Sequence, residues 1–214
     1  GGFEHNQAMR EQYLPQPTDH RWSAGTRDNT GDAIREGIRL GAKMHRMNEA
    51  WWCNTISVPG EEIPRLSIME KSYPGSIMVN PAGQRFSNES QNYMAFQQET
   101  FAKHTDENPL NPSWQIFDAN FRATYFVGPL YNSKFLPDWA VPKRYEEEGF
   151  FAKADSIAEL ARKINVDAAG LQETVHKINE YARTGHDPDC HRGESAYDRY
   201  YGDRALWGAF ASQD

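Results

Sequence analysis

The stretch that decides the fold is residues 74–90, which read PGSIMVNPAGQRFSNES. An apolar run near its start, bounded by polar and turn-forming residues, predicts a β-strand over residues 76–80. Pro81-Ala82-Gly83 then predicts a tight turn, because proline and glycine supply the backbone angles that turns need. Residues 84–86 begin a return strand, so the stretch as a whole predicts a hairpin.

Helices and further short strands are predicted on both sides of this hairpin. The predicted elements are a helix over 29–47 begun by Thr30 or Asp32, a helix over 92–103, short strands at 114–117 and 149–154, and two helices capped by Ser156 and Asp167. Their order predicts an α+β fold, a small and mostly antiparallel sheet with helices packed on it.

Composition argues against several kinds of partner. Hydrophobic residues make up 38% of the 214 residues, and the formal net charge is −7. An acidic balance disfavours nucleic acid and anionic membrane surfaces, which bind clustered Lys and Arg. No apolar run approaches the roughly 20 residues of a transmembrane helix, and no secretory signal pattern opens the sequence. Cys53 and Cys190 lie far apart, so we expect no disulfide framework and a cytoplasmic location.

Motifs for nucleotide and metal chemistry are few. The sequence lacks the GxGxxG, P-loop, HExxH and GxSxG motifs, so it cannot hold a complete Rossmann nucleotide site. His186, Cys190 and His191 have a spacing that fits either a metal site or a polar loop. Because zinc usually takes four placed ligands, we expect no metal here.

A set of motifs recurs in order along nearly the whole chain. They are GGFEHN at residues 1–6, NTGDAI at 29–34, AWW at 50–52, PGSIMVN at 74–80, GQRFSNES at 83–90, GESAYD at 193–198 and YYGD at 200–203. The ordered set resembles flavoproteins of the fumarate reductase and succinate dehydrogenase type, in particular the branch of 3-ketosteroid dehydrogenases. This resemblance implies an FAD-dependent oxidoreductase that acts on CH–CH groups.

The resemblance also implies contacts with FAD near the start of the chain. In the family, the GGF stretch ends a strand of the FAD-binding domain, and the TGD turn opens a helix near the cofactor. The implied cofactor-binding residues are Gly1, Gly2, Asn29, Thr30, Gly31 and Asp32. Glycine at position 31 permits close approach of the backbone, and free N–H groups at a helix start suit phosphate or polar flavin groups. An ordinary capped helix would give the same pattern, and Ala33 stands where the family often has a second glycine. The FAD site is expected to be incomplete in this chain.

Tyr93 is the candidate catalytic residue. In fumarate-reducing relatives, an arginine stands four residues after the glutamate of the NES motif and faces a dicarboxylate. The same offset from Glu89 gives a tyrosine here. A phenol lacks the fixed positive charge of arginine, but it can exchange a proton with a carbon acid. The resemblance therefore implies that Tyr93 takes the proton beside a carbonyl while the adjacent carbon passes hydride to FAD. An aromatic residue packed at a helix start is the alternative.

Trp51 and Trp52 stand where related proteins place substrate-pocket residues, with Tyr93 as a third substrate contact. Two indoles form an apolar surface that suits a steroid-like ketone, and packing between two domains is an equally open interpretation. Arg85 and Glu89 are expected to form an ion pair that supports Tyr93. The implied partners are an apolar ketone and an external electron acceptor.

The implied domains are residues 1–50 as part of an α/β FAD-binding domain, 51–184 as the substrate-binding domain, and 185–214 as a loop returning toward the FAD-binding domain. We therefore expect an internal segment of an enzyme that catalyses α,β-dehydrogenation of a 3-ketosteroid-like substrate. Two alternatives stay open. One is a fumarate reductase-like or succinate dehydrogenase-like flavoprotein acting on another small substrate, and the other is a catalytically inert excised domain.

Overall fold

The structure, a computed structural model, describes residues 1–200 of the chain. The α-helices in this part are α1 Gln7–Tyr13, α2 Asp32–Arg39, α3 Tyr93–Lys103, α4 Ala119–Thr124, α5 Lys143–Glu147, α6 Ile157–Lys163 and α7 Ala168–Thr184. The strands are β1 Asn54–Ile56, β2 Arg65–Ser67, β3 Ser76–Val79 and β4 Trp114–Phe117. Helices thus combine with small antiparallel sheets, in agreement with the expected α+β class. Within residues 1–200, no helix combines the length and the apolar character needed to cross a membrane.

The strands form two separate two-stranded sheets. β1 pairs with β2, and β3 pairs with β4 so that Ser76 lies opposite Phe117 and Val79 opposite Trp114. The predicted strand at 76–80 is confirmed over Ser76–Val79. The predicted return strand at 84–86 is wrong. The chain turns back there with one isolated bridge between Val79 and Arg85 and a hydrogen bond of 3.0 Å from the Asn80 N–H to the Gln84 carbonyl, but it forms no strand. The sheet partner of β3 comes instead from beyond α3.

Helices α6 and α7 pack against the β3–β4 sheet. The buried core between them consists of Ile77, Val79, Ile116, Ala161, Val166 and Leu171. Both helix starts follow the prediction. The Ser156 side chain accepts a hydrogen bond from the Glu159 N–H, and the Asp167 side chain accepts one from the Gly170 N–H. Each such cap typically stabilises a helix by about 1 kcal/mol.

A second core is formed by residues 130–151 together with Val58. Its buried members are Val58, Leu130, Val141, Tyr145 and Phe151. The strand predicted at 149–154 is wrong, because Gly149 turns the chain at a φ of +72°. The N–H groups of Phe150 and Phe151 both donate to the Tyr145 carbonyl, at 2.8 and 2.9 Å. These aromatic residues are therefore tied back to α5 instead of pairing with a strand.

The helix predicted over 29–47 is shorter than expected and covers Asp32–Arg39. Gly41 takes a φ of +84°, the left-handed conformation that commonly ends a helix. The N-cap is Gly31, also in the left-handed region, and neither Thr30 nor Asp32 fills that place. As a result, the start of α2 has no side-chain cap.

Candidate functional site

Tyr93 is the first residue of α3, and its hydroxyl group meets the indole of Trp51. The Asn92 side chain caps the helix by accepting a hydrogen bond from the Met94 N–H at 2.9 Å. The Trp51 Nε1–H donates to the Tyr93 hydroxyl oxygen at 2.9 Å, although 42 residues separate the two. The fold therefore brings together two of the side chains that the sequence marks as candidates.

Trp52 does not join this pair. Its side chain is 8% exposed, against 80% for Trp51. The Trp52 ring packs edge-on against Phe101, with 5.0 Å between ring centres. The two adjacent tryptophans therefore have different surroundings, since one is part of the interior and the other lies on the surface beside Tyr93.

A buried lysine holds the segment that leads into Tyr93. Lys71 is 1% exposed, and its ammonium group donates to the carbonyl oxygens of Glu89 and Gln91, both at 2.7 Å. The same ammonium lies 5.0 Å from the centre of the Phe96 ring, a cation–π distance. Burial lowers the pKa of Lys71 to about 8, although the charge of Glu89 acts in the opposite direction.

Glu89 is fully buried and completes the charge balance around this lysine. Its carboxylate accepts two hydrogen bonds from Arg85, at 2.8 and 2.7 Å, and one from the Met78 N–H at 3.0 Å. The predicted ion pair of Arg85 and Glu89 is confirmed, and Asp187 adds a second acidic partner at 3.0 Å from Arg85. Burial alone would raise the pKa of Glu89, but the charge and hydrogen bonds of Arg85 hold it below its ordinary value.

Residues 187–198, near the end of the described chain, hold the segment before Tyr93 through hydrogen bonds. Arg192 is buried and donates to the Ser90 hydroxyl at 3.0 Å and to the Ser76 carbonyl at 2.7 Å. Asp198 accepts a hydrogen bond from the Asn88 side chain at 3.0 Å. The turn at residues 88–90, the NES turn, is thus held by both Arg192 and Asp198 just before the chain reaches Tyr93.

The predicted cofactor-binding residues form a second cluster near the start of the chain. The Gly31 N–H donates to the Gly2 carbonyl at 2.9 Å, and the Asn6 side chain donates to the Thr30 carbonyl at 2.9 Å. A methyl group on Gly1 would lie 2.3 Å from the Asn29 side-chain oxygen, so the two segments touch directly. Residues 1–3 belong to no helix or strand.

The start of α2 has the chemistry that an anionic or polar group requires. Most other helices here begin at a side chain that accepts a backbone N–H, whereas the N-cap of α2 is a glycine without one. The Asp32 carboxylate accepts a hydrogen bond from the Thr30 hydroxyl and pairs with Arg35. First-turn N–H groups without a cap suit phosphate or flavin oxygens, and a carboxylate suits a hydroxyl. The residues present therefore fit part of an FAD molecule.

A cavity of about 1050 Å³ lies elsewhere, between the β3–β4 sheet and the helices α4, α6 and α7. Phe117, Phe121, Tyr125 and Phe151 are among the residues that line it. Neither Tyr93 nor Trp51 does, so the Trp51–Tyr93 pair lies outside this cavity.

The histidines of the 185–200 loop contact a glutamate. His191 Nδ1 lies 3.1 Å from Glu194 Oε1, and His186 Nδ1 lies 3.4 Å from the same oxygen. Burial raises the pKa of Cys190 to about 12, which keeps its thiol protonated. Among residues 1–200, no group of three or more His, Cys, Asp or Glu is arranged to hold a metal ion.

Two residues that hold the segment before Tyr93, Lys71 and Arg192, were not predicted from the sequence as site residues. Lys71 precedes the PG of the central stretch, and Arg192 lies in a loop rich in glycine and aspartate. Neither position belongs to an apolar pattern, and both act through backbone carbonyls that are distant in sequence. The sequence offers one weak indication of such a role, which is a long cationic side chain close to a strand that is expected to be buried.

Comparison with known proteins supports the family resemblance that the ordered motifs indicate. The family described as FAD binding domain matches residues 1–213. A 3-oxosteroid 1-dehydrogenase of Mycobacterium tuberculosis is 40% identical over 207 residues, which cover 95% of this chain and 36% of that protein. A 4-oxocyclohexanecarboxylate 2-dehydrogenase of Sinomonas cyclohexanicum is 35% identical over 210 residues, which cover 95% of this chain and 34% of that protein. The chain spans about a third of the length of these relatives.

A solved structure has the same fold. The crystal structure of 3-ketosteroid delta1-dehydrogenase from Sterolibacterium denitrificans, in complex with 1,4-androstadiene-3,17-dione, superposes with a TM-score of 0.85. It is 42% identical to this chain, and the match covers 94% of this chain and 35% of that one.

Proposed function

The chain belongs to the FAD binding domain family, and we propose that it is part of a dehydrogenase that introduces a double bond beside the carbonyl group of a 3-ketosteroid-like substrate. The observation that carries this proposal is the Tyr93 hydroxyl, presented at the start of α3 and contacted by Trp51. The names of the two relatives above support it, because both describe the dehydrogenation of a ring ketone.

In the proposed reaction, this chain carries out one proton transfer. A carbonyl group acidifies the neighbouring C–H bond. Tyr93 acts as the phenolate, after its hydroxyl has given its own proton to solvent, and the phenolate oxygen takes the proton from carbon. The electron pair left behind forms the new double bond as hydride departs from the adjacent carbon, so the substrate loses one proton and one hydride. FAD, when bound, supplies the acceptor for that hydride. Such transfers need the reacting atoms about 3–3.5 Å apart, which a base fixed on a helix start can provide.

A dicarboxylate substrate is the less favoured alternative. A site for fumarate or succinate needs fixed positive charge, and Tyr93 stands at the motif position that arginine occupies in fumarate-reducing proteins. The aromatic surface of Trp51 beside Tyr93 suits an apolar ketone better than a doubly charged acid.

For the cofactor, Gly1, Gly2 and the 29–32 turn are the proposed contacts. The uncapped N–H groups of α2 would hold a phosphate or a polar flavin atom, and Asp32 would accept from a hydroxyl group. Purified residues 1–214 alone are expected to carry no bound flavin. A chain of this length that retains yellow colour would contradict the proposal that its FAD site is incomplete.

The proposed domains are 1–50 in the FAD-binding part, 51–184 in the substrate-binding part and 185–214 in the return. Arg192 and Asp198, in the first part of the 185–214 segment, contact the NES turn of the substrate-binding part. Residues 201–214, with the Tyr201–Asp203 part of the last motif, lie outside the described residues. Both cysteines are free, which supports the cytoplasm as the proposed location.

The test is the Tyr93→Phe variant of the full-length protein, assayed with a 3-ketosteroid and a dye as electron acceptor. We expect kcat to fall about 10²–10⁴-fold, the usual contribution of a general base, with FAD absorbance retained. Tyr131→Phe is the matched control, because Tyr131 is 61% exposed and should be dispensable. Undiminished activity in Tyr93→Phe would disprove the assigned role, and tight binding of fumarate or succinate would favour the dicarboxylate alternative.

A further inference from the structure

The hydrogen bond between Trp51 and Tyr93 has a fixed direction. An indole nitrogen can only donate, and a tyrosine hydroxyl has one proton and two acceptor positions. At 2.9 Å the Trp51 N–H therefore occupies one acceptor position of the Tyr93 oxygen. That oxygen keeps one further acceptor position and its own proton for other partners.

Packing does not account for this contact. Trp51 is 80% exposed, so within residues 1–200 most of its ring contacts no other part of the chain. The buried member of the pair is Trp52, which packs on Phe101. Trp51 thus holds a hydrogen bond to the candidate base while contributing little to the core.

We propose, building on the proposed role of Tyr93 as base, that Trp51 is a positioning residue whose indole N–H stabilises negative charge on the Tyr93 oxygen and aims its free lone pair at the substrate. A hydrogen bond to a charged acceptor is stronger than one to a neutral acceptor. The Trp51 contact therefore stabilises the phenolate form of Tyr93 relative to its protonated hydroxyl. Because only the phenolate can remove a proton from carbon, kcat rises with the fraction of Tyr93 in that form. This role differs from that of an apolar wall, which would bind substrate and transition state alike.

The expected effect is smaller than the loss of a buried donor. Removing one donor from a closed oxyanion site costs roughly 10²–10³-fold in kcat. Because Trp51 is largely exposed in this chain, water can partly replace its N–H. We expect roughly a 10- to 100-fold loss.

The experiment uses the full-length holoenzyme and the Trp51→Phe variant, which keeps an aromatic ring and removes the N–H. We expect kcat for a 3-ketosteroid to fall by roughly 10- to 100-fold while KM changes by less than about 3-fold. The deuterium isotope effect at the carbon that loses the proton should rise, because that step becomes more limiting. Trp139→Phe is the matched control, since Trp139 is 87% exposed and should leave both constants unchanged.

A double-variant cycle separates this proposal from the proposed function. If Tyr93→Phe lowers kcat as expected and Trp51→Phe leaves kcat unchanged, the positioning role is overturned and the role of Tyr93 stands. If Trp51→Phe raises KM alone, Trp51 is a substrate wall and the proposal is overturned. If Tyr93→Phe is fully active, both proposals fail. Support requires that Trp51→Phe lowers kcat in the native background and has no further effect on the residual rate of Tyr93→Phe.

Discussion

Gly170, in the first turn of α7, lies against Ala82, in the turn that follows β3. A methyl group on Gly170 would come within 1.9 Å of the Ala82 carbonyl oxygen. The Asp167 N–H donates to the Pro81 carbonyl at 2.9 Å, so the turn is also hydrogen-bonded to the start of the helix. This contact fixes α7 at one end of the segment that carries the NES motif.

Gly170→Ala should therefore destabilise the protein. The close contact is with backbone, which cannot move aside as a flexible side chain would, and overpacking of this kind costs about 1–3 kcal/mol. Gly37→Ala is the control, because its added methyl group would meet other atoms only at an ordinary 3.7 Å. Alanine favours helix over glycine by up to about 1 kcal/mol, so that variant should be neutral or stabilised. Urea unfolding measures both, and a Gly170→Ala variant as stable as the native protein would contradict the close contact.

Lys71 should make the free energy of unfolding rise with pH in the alkaline range. Its pKa is lowered from 10.5 to about 8 by burial, so between these values the unfolded lysine keeps a proton that the folded lysine has lost. The free energy of unfolding therefore gains up to about 3 kcal/mol from this residue as pH rises from 8 to 10.5. The difference in unfolding free energy between the native protein and Lys71→Met, measured across that range, should rise with pH.

Lys153→Met provides a control of opposite sign. A hydrogen bond and the charge of Asp138 raise the pKa of Lys153, so its contribution is present at lower pH and is lost as pH rises through the folded value. The native-minus-variant difference should fall with pH for this residue. Equal slopes for the two lysine variants would show that the Lys71 ammonium is not held as described.

The two cysteines should react slowly in the folded protein. Burial raises the pKa of Cys53 to about 11 and that of Cys190 to about 12. At pH 8, the thiolate fraction of Cys53 is then about 100-fold below that of a thiol with pKa 9.0. An aromatic disulfide reagent, followed by absorbance, should modify them quickly only after unfolding in guanidinium chloride. Cys53→Ser and Cys190→Ser assign each thiol, and rapid modification of either in the native state would contradict its burial.

Local patterns in the sequence predict much of the fold. Several predicted features depend only on residues close by in the sequence, and the structure contains them. They are the apolar run of β3, the Asn92 start of α3 and the caps at Ser156 and Asp167. The ion pair of Arg85 and Glu89 is also local, four residues apart. Such features follow from near neighbours, so the sequence suffices to predict them.

Distant pairings could not be predicted in the same way. Gln84–Phe86 has the composition of a return strand, but the partner of β3 is β4, and the choice depends on the α6–α7 core beneath them. Lys71 and Arg192 reach the site through carbonyl groups, which every residue possesses and no motif marks. The contact between Trp51 and Tyr93 likewise depends on the path of the 42 residues that separate them, and the family resemblance implied only a shared substrate pocket.

The reach of Arg192 has a consequence for the order of events during protein synthesis. Arg192 lies 102 residues after Ser90 and 116 after Ser76, both of which it contacts. A ribosome adds about 5–20 residues per second, so roughly 5–20 s pass between the emergence of the NES turn and that of its distant clamp. Glu89 is not left unpaired during this interval, because Arg85 emerges just before it and supplies a local partner. Arg85 can therefore neutralise the Glu89 carboxylate in the nascent chain until Arg192, which holds the NES turn before Tyr93, has been translated.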